Sequence, residues 1–317
     1  MSLTADPPVE RSRGRGLARG RPGRSRLARR RRLAGLVLSV PAILLVGALL
    51  WAPIVQAIRY SMTTWNGYSA PVWIGPSAYV SALSDPIVHR VLENNALLLL
   101  AVPVAIGIPL IIAALLHEHV RGWRFFRSIY FLPTAISWVV IGMVALQFFA
   151  ANGTLNQLLA DIGLGSVHTD MLASEYSALA ALAITFIWSM IGTNTIIFLT
   201  GMATLDPTLL EAARVDGLSR WQIFYRVTLP LLTRFIQFAF VITVISAFSA
   251  LFSLIFVMTG GGPGLGTTTL EFFVYQSGFA QGQFGTGALY GIILFVIMII
   301  VGIGQLRLIR SQDGEGW

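Results

Sequence analysis

The sequence predicts an all-α membrane protein with six transmembrane helices and both termini in the cytoplasm. Its composition is strongly apolar: of 317 residues, 55% are hydrophobic and only 11% are charged, and the mean hydropathy is +0.73. A soluble globular domain carries about 25% charged residues, so much of this surface must lie in a non-aqueous solvent. Apolar stretches recur six times along the chain, and arginines alternate between the loops that separate them.

The six apolar stretches have the length of membrane spans. A helix needs about 20 apolar residues to cross roughly 30 Å of hydrocarbon. Only helices and closed barrels satisfy their backbone polar groups inside a bilayer, and these stretches lack the period-2 alternation of barrel strands. We therefore predict spans at residues 33–58, 94–116, 129–150, 178–200, 235–258 and 286–306.

An Arg-rich segment at residues 1–32 precedes the first span and ends in four consecutive arginines. Glycines and prolines interrupt it, so we predict disorder up to about Leu27. Basic residues beside a first span most often fix its topology and contact anionic lipid, and a tail that binds nucleic acid is the alternative. The first apolar stretch is longer than a signal-peptide core and shows no small-residue cleavage site, which predicts an uncleaved helix.

The arginines predict the orientation, because basic loops stay in the cytoplasm. All 22 basic residues are Arg. They occupy the first tail, the loop after span two, the loop after span four and the tail after span six, whereas residues 151–177 and 259–285 have none and residues 59–93 have two. We therefore predict a cytoplasmic tail at 1–32, a transmembrane domain at 33–310 and a second cytoplasmic tail at 311–317.

Several kinds of site are excluded or disfavoured by the residues present. The chain has no Cys, which excludes disulfides and thiolate metal sites, and its four His residues form no metal-binding motif. The glycine run at 260–264 lacks the Lys-Ser/Thr pair that a phosphate-binding loop needs. No predicted span has a charged residue in its middle, which disfavours an ion-coupled carrier acting alone, although that alternative stays open.

The loop at 201–234 carries strong helix signals. Asp206 is a good N-cap and Pro207 suits a first helical position, so we predict a helix to about Val215 that stops at Gly217. Ser219 and Gln222 then predict a capping box for a second helix that runs to Leu229-Pro230. So much built-in structure on a cytoplasmic loop indicates a docking surface rather than a simple connector.

Parts of this loop resemble a known signature. Glu211-Ala212-Ala213, then Gly217, then Val227-Thr228-Leu229-Pro230 resemble the EAA motif of ABC importer permeases, with Val227 where the family has Ile or a similar residue. The resemblance implies the type I importer permease fold and a coupling helix that seats in a groove of a cytoplasmic ATPase. The docking residues that it implies are Glu211, Ala212, Ala213, Asp216, Gly217, Leu229 and Pro230.

Other stretches resemble carbohydrate-uptake permeases of the maltose and glycerol-3-phosphate type. They are Phe131-Leu132-Pro133, Asn152 to Asn156, and Thr259-Gly260-Gly261-Gly262-Pro263-Gly264, with Tyr275, Phe279, Phe284 and Gly285 further on. The resemblance covers most of residues 35–310 but not the Arg-rich start.

The resemblance implies a non-enzymatic transport subunit of a bacterial plasma membrane with no cofactor of its own. Its implied partners are a second permease in a heterodimer, two ATPase subunits that bind ATP and Mg, an extracellular substrate-binding protein, a sugar and membrane lipid, without nucleic acid.

Polar side chains within spans are candidates for the sugar pathway, because they usually face a bundle interior or a cavity. The alternative is that they bond their own helix carbonyls or hold helices together. The candidates are Gln147, Trp188, Ser189, Thr193, Asn194, Thr195, Ser246, Ser249 and Ser253.

Overall fold

A computed structural model describes residues 26–117, 129–164 and 170–313, which are mostly helical. The predicted disorder before Leu27 therefore falls almost wholly outside the described residues, as do positions 314–317 of the predicted second tail. The chain divides into two compact units, residues 1–55 and 56–317.

The first unit is the start of one long helix. Helix α1 spans Arg26–Val46, continues through a π-helical turn at Gly47–Trp51, and passes into α2, Ala52–Tyr60. Its apolar part, Val37–Tyr60, is long enough to cross a membrane, which agrees with the span predicted at 33–58. None of the side chains from Val37 to Trp51 is buried.

After the end of α2, the second unit contains a feature that the sequence did not predict, a small β-hairpin. In it β1, Thr63–Thr64, pairs antiparallel with β2, Val72–Trp73. Helix α3, Ser77–Leu83, follows. The second span combines α4, Pro86–Leu99, with α5, Ala101–His117. It begins at Pro86 rather than at residue 94, because the Asp85 side chain accepts a hydrogen bond from the Ile87 amide and so caps the helix.

The third apolar stretch is not one straight span, so the prediction of a single helix at 129–150 is wrong. A short segment, Ile129–Ala135, meets α6, Trp138–Phe149, at 118°. The Ser137 side chain accepts a hydrogen bond from the Val140 amide and starts a new helix at the bend. Within the described residues, five helices are long and apolar enough to span a membrane, and six spans result when this bent pair is counted as one.

The remaining helices follow in chain order. They are α7, Thr154–Asp161; α8, Glu175–Met202; α9, Pro207–Val215; α10, Arg220–Ile223; α11, Leu229–Leu231; α12, Thr233–Met258; α13, Leu270–Tyr275; and α14, Phe284–Asp313. A π-helical turn at Phe224–Thr228 joins α10 to α11, and another at Gln276–Ala280 extends α13. Helices α8, α12 and α14 agree with the spans predicted at 178–200, 235–258 and 286–306.

The core of the second unit lies among α5, α6, α8 and α12. Its largest fully buried side chains include Phe186, Phe198 and Leu254. A smaller cluster around Val88, Leu270 and other apolar residues joins α4, α13 and α14. Helices in a bilayer associate through close packing and interhelical hydrogen bonds rather than through exclusion of water.

Two glycines of α8 allow such close packing. A Cβ at Gly192 would lie 2.5 Å from the Tyr130 carbonyl oxygen, and a Cβ at Gly201 would lie 2.7 Å from the Phe235 ring on α12. The bent third span and α12 can therefore approach α8 only because these positions lack a side chain.

We expect Gly192→Ala to lower the thermal-unfolding midpoint of the purified protein in detergent. The added methyl group would force the backbone of the third span away at a cost of about 1–3 kcal/mol. Gly107→Ala in α5 is the matched control, because a Cβ there meets nothing within 4 Å. An unchanged midpoint for Gly192→Ala would contradict the assigned packing.

Candidate functional site

The loop between α8 and α12 begins with a well-capped helix. The Asp206 carboxylate accepts a 2.9 Å hydrogen bond from the Thr208 amide, and Pro207 occupies the first helical position of α9. This confirms the predicted N-cap. The hydrogen bond holds the pKa of Asp206 below its ordinary value, so the carboxylate stays charged and compensates the free amides at this helix end.

Helix α9 ends in a Schellman motif at Gly217. The Leu218 amide donates to the Ala213 carbonyl, and the Gly217 amide donates to the Arg214 carbonyl. Gly217 has φ +79°, a left-handed conformation that residues with a Cβ adopt only at a cost. The predicted stop at Gly217 is confirmed, and it fixes the direction in which the chain leaves α9.

The second helix of the loop starts with the predicted capping box. The Ser219 amide donates to the Gln222 side chain at 2.8 Å, and the Ser219 hydroxyl accepts from the Gln222 amide at 3.4 Å. The three aromatic rings of Trp221, Phe224 and Tyr225 pack against one another just after this cap, with centroids 5.1 to 6.2 Å apart. The turn between α9 and α10 is thus fixed at both sides by specific hydrogen bonds.

The loop presents part of α9 to the surroundings. Glu211, Ala212 and Asp216 are exposed, Val215 is 88% exposed, and Ala213 is only 6% exposed because it packs against the rest of the chain. Leu229 is half-buried against the core, and Pro230 is exposed in α11. Exposed apolar side chains on a structured loop are typical of a protein contact surface.

The loop lies over a cavity of about 200 Å³ at the ends of α5 and α8. Leu115, Met202, Arg214, Trp221 and Thr228 are among the residues that line it. The loop therefore faces the ends of two spans across this cavity, and it continues directly into α12.

Three pathway candidates are buried, and one of them holds helices together. Asn194 is fully buried, and its amide donates to the Ala105 carbonyl on α5 at 2.7 Å and to the Thr243 hydroxyl on α12 at 3.0 Å. Thr195 is also fully buried, and Ser189 donates to the Thr185 carbonyl of its own helix. These three side chains lie inside the bundle of this chain rather than on a surface.

The other pathway candidates are more accessible. Gln147, Trp188 and Ser249 are exposed, whereas Thr193, Ser246 and Ser253 are half-buried. Trp188 lines an apolar cavity of about 330 Å³ between α6 and α8, together with Phe148, Phe149 and other residues.

Two asparagines that the sequence analysis did not single out fix the glycine-rich loop. The Asn94 amide donates to the carbonyls of Leu265 and Thr268 at 2.8 and 2.9 Å. Asn95 accepts from the Leu270 amide at 2.7 Å and donates to both carboxyl oxygens of Glu271 at 3.2 Å. The sequence did contain a clue to this contact. Two adjacent amide side chains stand in the predicted second span, where polar side chains are costly unless they have hydrogen-bond partners.

Glu271 is a second missed residue, a buried acid without a described basic partner. It lies in α13, outside the spans, and burial raises the pKa of its carboxyl above the ordinary value.

An ion pair joins two of the spans. Arg90 near the start of α4 contacts Glu175 at the start of α8, with 2.6 Å between the guanidinium nitrogen and the carboxylate oxygen.

Comparisons with known proteins agree on one family. The sequence profile of a family described as binding-protein-dependent transport system inner membrane component matches residues 74–313. The chain is 33% identical over 279 residues to a "Probable ABC transporter permease protein" of Pyrococcus horikoshii, which covers 87% of this chain and 94% of that protein. It is 31% identical to the multiple sugar-binding transport system permease protein MsmF of Streptococcus mutans, with the same coverage.

A further relative is the sn-glycerol-3-phosphate transport system permease protein UgpA of Agrobacterium fabrum, 29% identical over 88% of this chain and 96% of that protein. Among solved structures, a chain of a bacterial ABC transporter involved in import of the acidic polysaccharide alginate has a TM-score of 0.77 at 23% identity. That match covers 90% of this chain and 99% of the solved one, and it shows a shared fold.

We expect Gly217→Ala to loosen the loop, because Ala is strained at φ +79°. Hydrogen exchange at the Leu218 amide should then accelerate, since its bond to Ala213 would open more often. Gly217→Asn is the matched control, because Asn tolerates this conformation better. Equal protection in the wild type and the Ala variant would contradict the role of the motif.

We expect Glu271→Gln to remove a pH dependence of stability. The raised pKa means that the folded chain binds this proton more tightly than the unfolded chain. Stability should therefore fall as pH rises from the ordinary range of Glu, about 4.3, through the raised pKa. Thermal midpoints measured at about pH 5 and about pH 8 should differ more for the wild type than for the variant.

Glu93→Gln is the control for this experiment, because Glu93 is an exposed acid of α4. It should leave the pH dependence in place. A Glu271→Gln variant whose midpoint changes with pH as much as that of the wild type would show that Glu271 is not the responsible group.

Proposed function

The chain belongs to the family of binding-protein-dependent transport system inner membrane components, and on that premise we propose that it is the permease subunit of an ATP-driven sugar importer. It is a multi-pass membrane protein and a transport subunit rather than an enzyme. Sugar is the proposed cargo because one relative is named for multiple sugar-binding transport and another for sulfoquinovosyl glycerol transport. The alternative of an ion-coupled carrier acting alone finds no support among the relatives.

The observation that carries the proposal is the geometry of the loop that begins at Asp206. Its first helix has a cap at each end, and it presents Glu211, Ala212 and Val215 outward. These exposed residues include two of the EAA signature, so we assign the docking contact with an ATPase subunit to this face. Ala213 faces the chain itself and would let the helix lie close to its own spans.

The loop is also suited to transmit motion. It is continuous with α8 on one side and reaches α12 through the π-helical turn and α11 on the other. Gly201 near the end of α8 touches Phe235 near the start of α12 so closely that a Cβ would not fit. A displacement of α9 would therefore move the ends of both spans together, which is what coupling to ATP binding needs.

The proposed partners follow from this arrangement. Two ATPase subunits would bind ATP and Mg on the cytoplasmic side, and this chain would carry no cofactor. That side is the one on which the Arg-rich loops and both termini are predicted to lie. We propose no nucleic-acid partner.

A second permease would complete the translocation pathway. An extracellular binding protein would deliver the sugar, as supported by a similar structure described in complex with an alginate pentasaccharide-bound periplasmic protein.

The pathway candidates divide by exposure. We keep the accessible or half-buried set as pathway residues, namely Gln147, Trp188, Thr193, Ser246, Ser249 and Ser253. Asn194, Thr195 and Ser189 are instead assigned to the packing of the bundle, because they are buried among its helices.

We expect Glu211→Lys to abolish uptake while the protein still inserts into the membrane. The substitution reverses the charge of an exposed residue at the assigned docking face and should weaken contact with the ATPase without disturbing the fold. Cells that express the chain with the partner subunits from its own genome would be assayed for uptake of labelled sugars and for membrane levels of the protein.

Asp161→Lys is the matched control, because Asp161 is also an exposed acid but ends α7 outside the loop. It should transport at the wild-type rate. Normal ATP-dependent uptake by Glu211→Lys would overturn the assigned coupling role.

A further inference from the structure

The segment between the first two spans carries no charge. Residues 61–84 connect the span that ends at Tyr60 to the span that begins at Pro86, and they include the β-hairpin and α3. They contain no Asp, Glu, Lys, Arg or His. Because a soluble domain carries about 25% charged residues, a neutral segment of this length is not what contact with water alone would favour.

The hairpin is held against the start of another span. The Gly285 amide donates to the Trp65 carbonyl at 3.0 Å, and a Cβ at Gly285 would clash with the Thr63 carbonyl of β1. Gly285 is the second residue of α14, which is long and apolar enough to cross a membrane from Phe284 onward. The segment therefore lies beside the end of a span and is connected directly to the ends of two others.

Helix α3 presents its larger apolar side chains outward. Ala78 and Ala82 are buried, and they belong to the apolar cluster that joins α4, α13 and α14. Val80 is 69% exposed and Leu83 is 51% exposed. A helix that lies between a protein core and water shows the reverse pattern, with large apolar side chains inside and polar ones outside. The outer side of α3 is thus suited to an apolar phase.

The hairpin adds aromatic and aliphatic side chains to this exterior. Tyr68 and Trp73 are exposed, as are Val72 and Ile74. Trp and Tyr are enriched where a membrane meets water, because their rings have an apolar body and a polar tip. A contiguous apolar exterior of this kind indicates contact with a membrane or with another protein.

The hydrogen bonds of the segment favour the membrane over a protein. The Trp65 indole donates to the Ser69 carbonyl at 2.8 Å, the Asn66 side chain accepts from the Ser69 amide at 2.9 Å, and the Ser61 and Tyr79 hydroxyls lie 2.6 Å apart. These polar groups are satisfied inside the segment, as contact with lipid requires. A protein partner would be recognised through a polar rim and complementary charges, and the segment has no charges to offer.

Three exposed serines indicate the depth of this contact. Ser77, Ser81 and Ser84 lie on the outside of the segment together with Val80 and Leu83. Hydroxyl groups are costly in hydrocarbon but are well hydrated among lipid headgroups. The mixture of serines, large apolar side chains and aromatic rings therefore fits the boundary between headgroups and acyl chains.

We propose that the outer side of residues 61–84 is a lipid-contacting surface that lies in the headgroup region of the leaflet on the predicted extracellular side. Tyr68, Trp73, Val80 and Leu83 enter the boundary between headgroups and acyl chains, and the serines stay among the headgroups. This surface goes beyond the proposed function, because it depends only on insertion into a membrane and not on the cargo. It fixes the depth at which this end of the chain lies.

The test measures the depth of a fluorescent label in the complete transporter, reconstituted in lipid nanodiscs. The chain has no Cys, so Val80→Cys or Leu83→Cys provides the one thiol of this subunit for labelling with bimane. The transporter with the unaltered chain gives the background from its partner subunits. Two positions keep the test informative if one variant does not assemble.

The label should be quenched most by a lipid that carries a nitroxide near its headgroup, less by a lipid with the nitroxide near the chain end, and least by aqueous iodide. The two lipid quenchers should place it about 5–10 Å into the boundary between headgroups and acyl chains. Asp161→Cys is the matched control, because Asp161 is an exposed acid at the end of α7. Its label should be quenched by iodide, and its emission should lie at longer wavelength.

Three results would overturn the proposal. Quenching of Val80→Cys and Leu83→Cys by iodide to the extent seen at Asp161→Cys would place the surface in water. Protection from both iodide and lipid quenchers would show that a partner subunit covers it. Loss of lipid quenching when the extracellular binding protein is added would show a protein-docking surface instead, whereas the lipid-contacting surface predicts unchanged quenching.

Discussion

The arrangement of the bundle depends on the hydrogen bonds of Asn194. This side chain lies in the middle of α8, fully buried, and connects α8 both to the backbone of α5 and to Thr243 on α12. Apolar contacts alone specify helix positions poorly in lipid, because the solvent is as apolar as the side chains. A buried amide that must find its partners therefore fixes how three spans cross one another.

The loop at 201–234 depends on the helix pair that Asn194 holds. It joins the end of α8 to the start of α12. A displacement of the loop would therefore act on both helices, which the Asn194–Thr243 hydrogen bond holds together. The tight contact between Gly201 and Phe235 adds a second restraint close to the loop.

Local signals in the sequence predicted most of the fold and the coupling loop. Apolar runs gave the spans, and Asp206, Gly217 and the Ser219–Gln222 pair gave the caps, because each depends on residues a few positions apart. The bend before Ser137 was missed, although Pro133 and Ser137 interrupt the apolar run at that point. The Asn95–Glu271 contact was out of reach because it joins residues that are 176 positions apart in sequence.

The Schellman motif at Gly217 has a consequence for how the loop can evolve. Apart from Asn and Asp, residues with a side chain adopt a left-handed backbone only at a clear cost, so few substitutions fit there. This position is therefore expected to resist drift, whereas exposed neighbours such as Val215 can vary in step with the surface that meets them. Related importers could therefore differ in the exposed residues of α9, and so in the partner that they bind, while the turn at Gly217 stays the same.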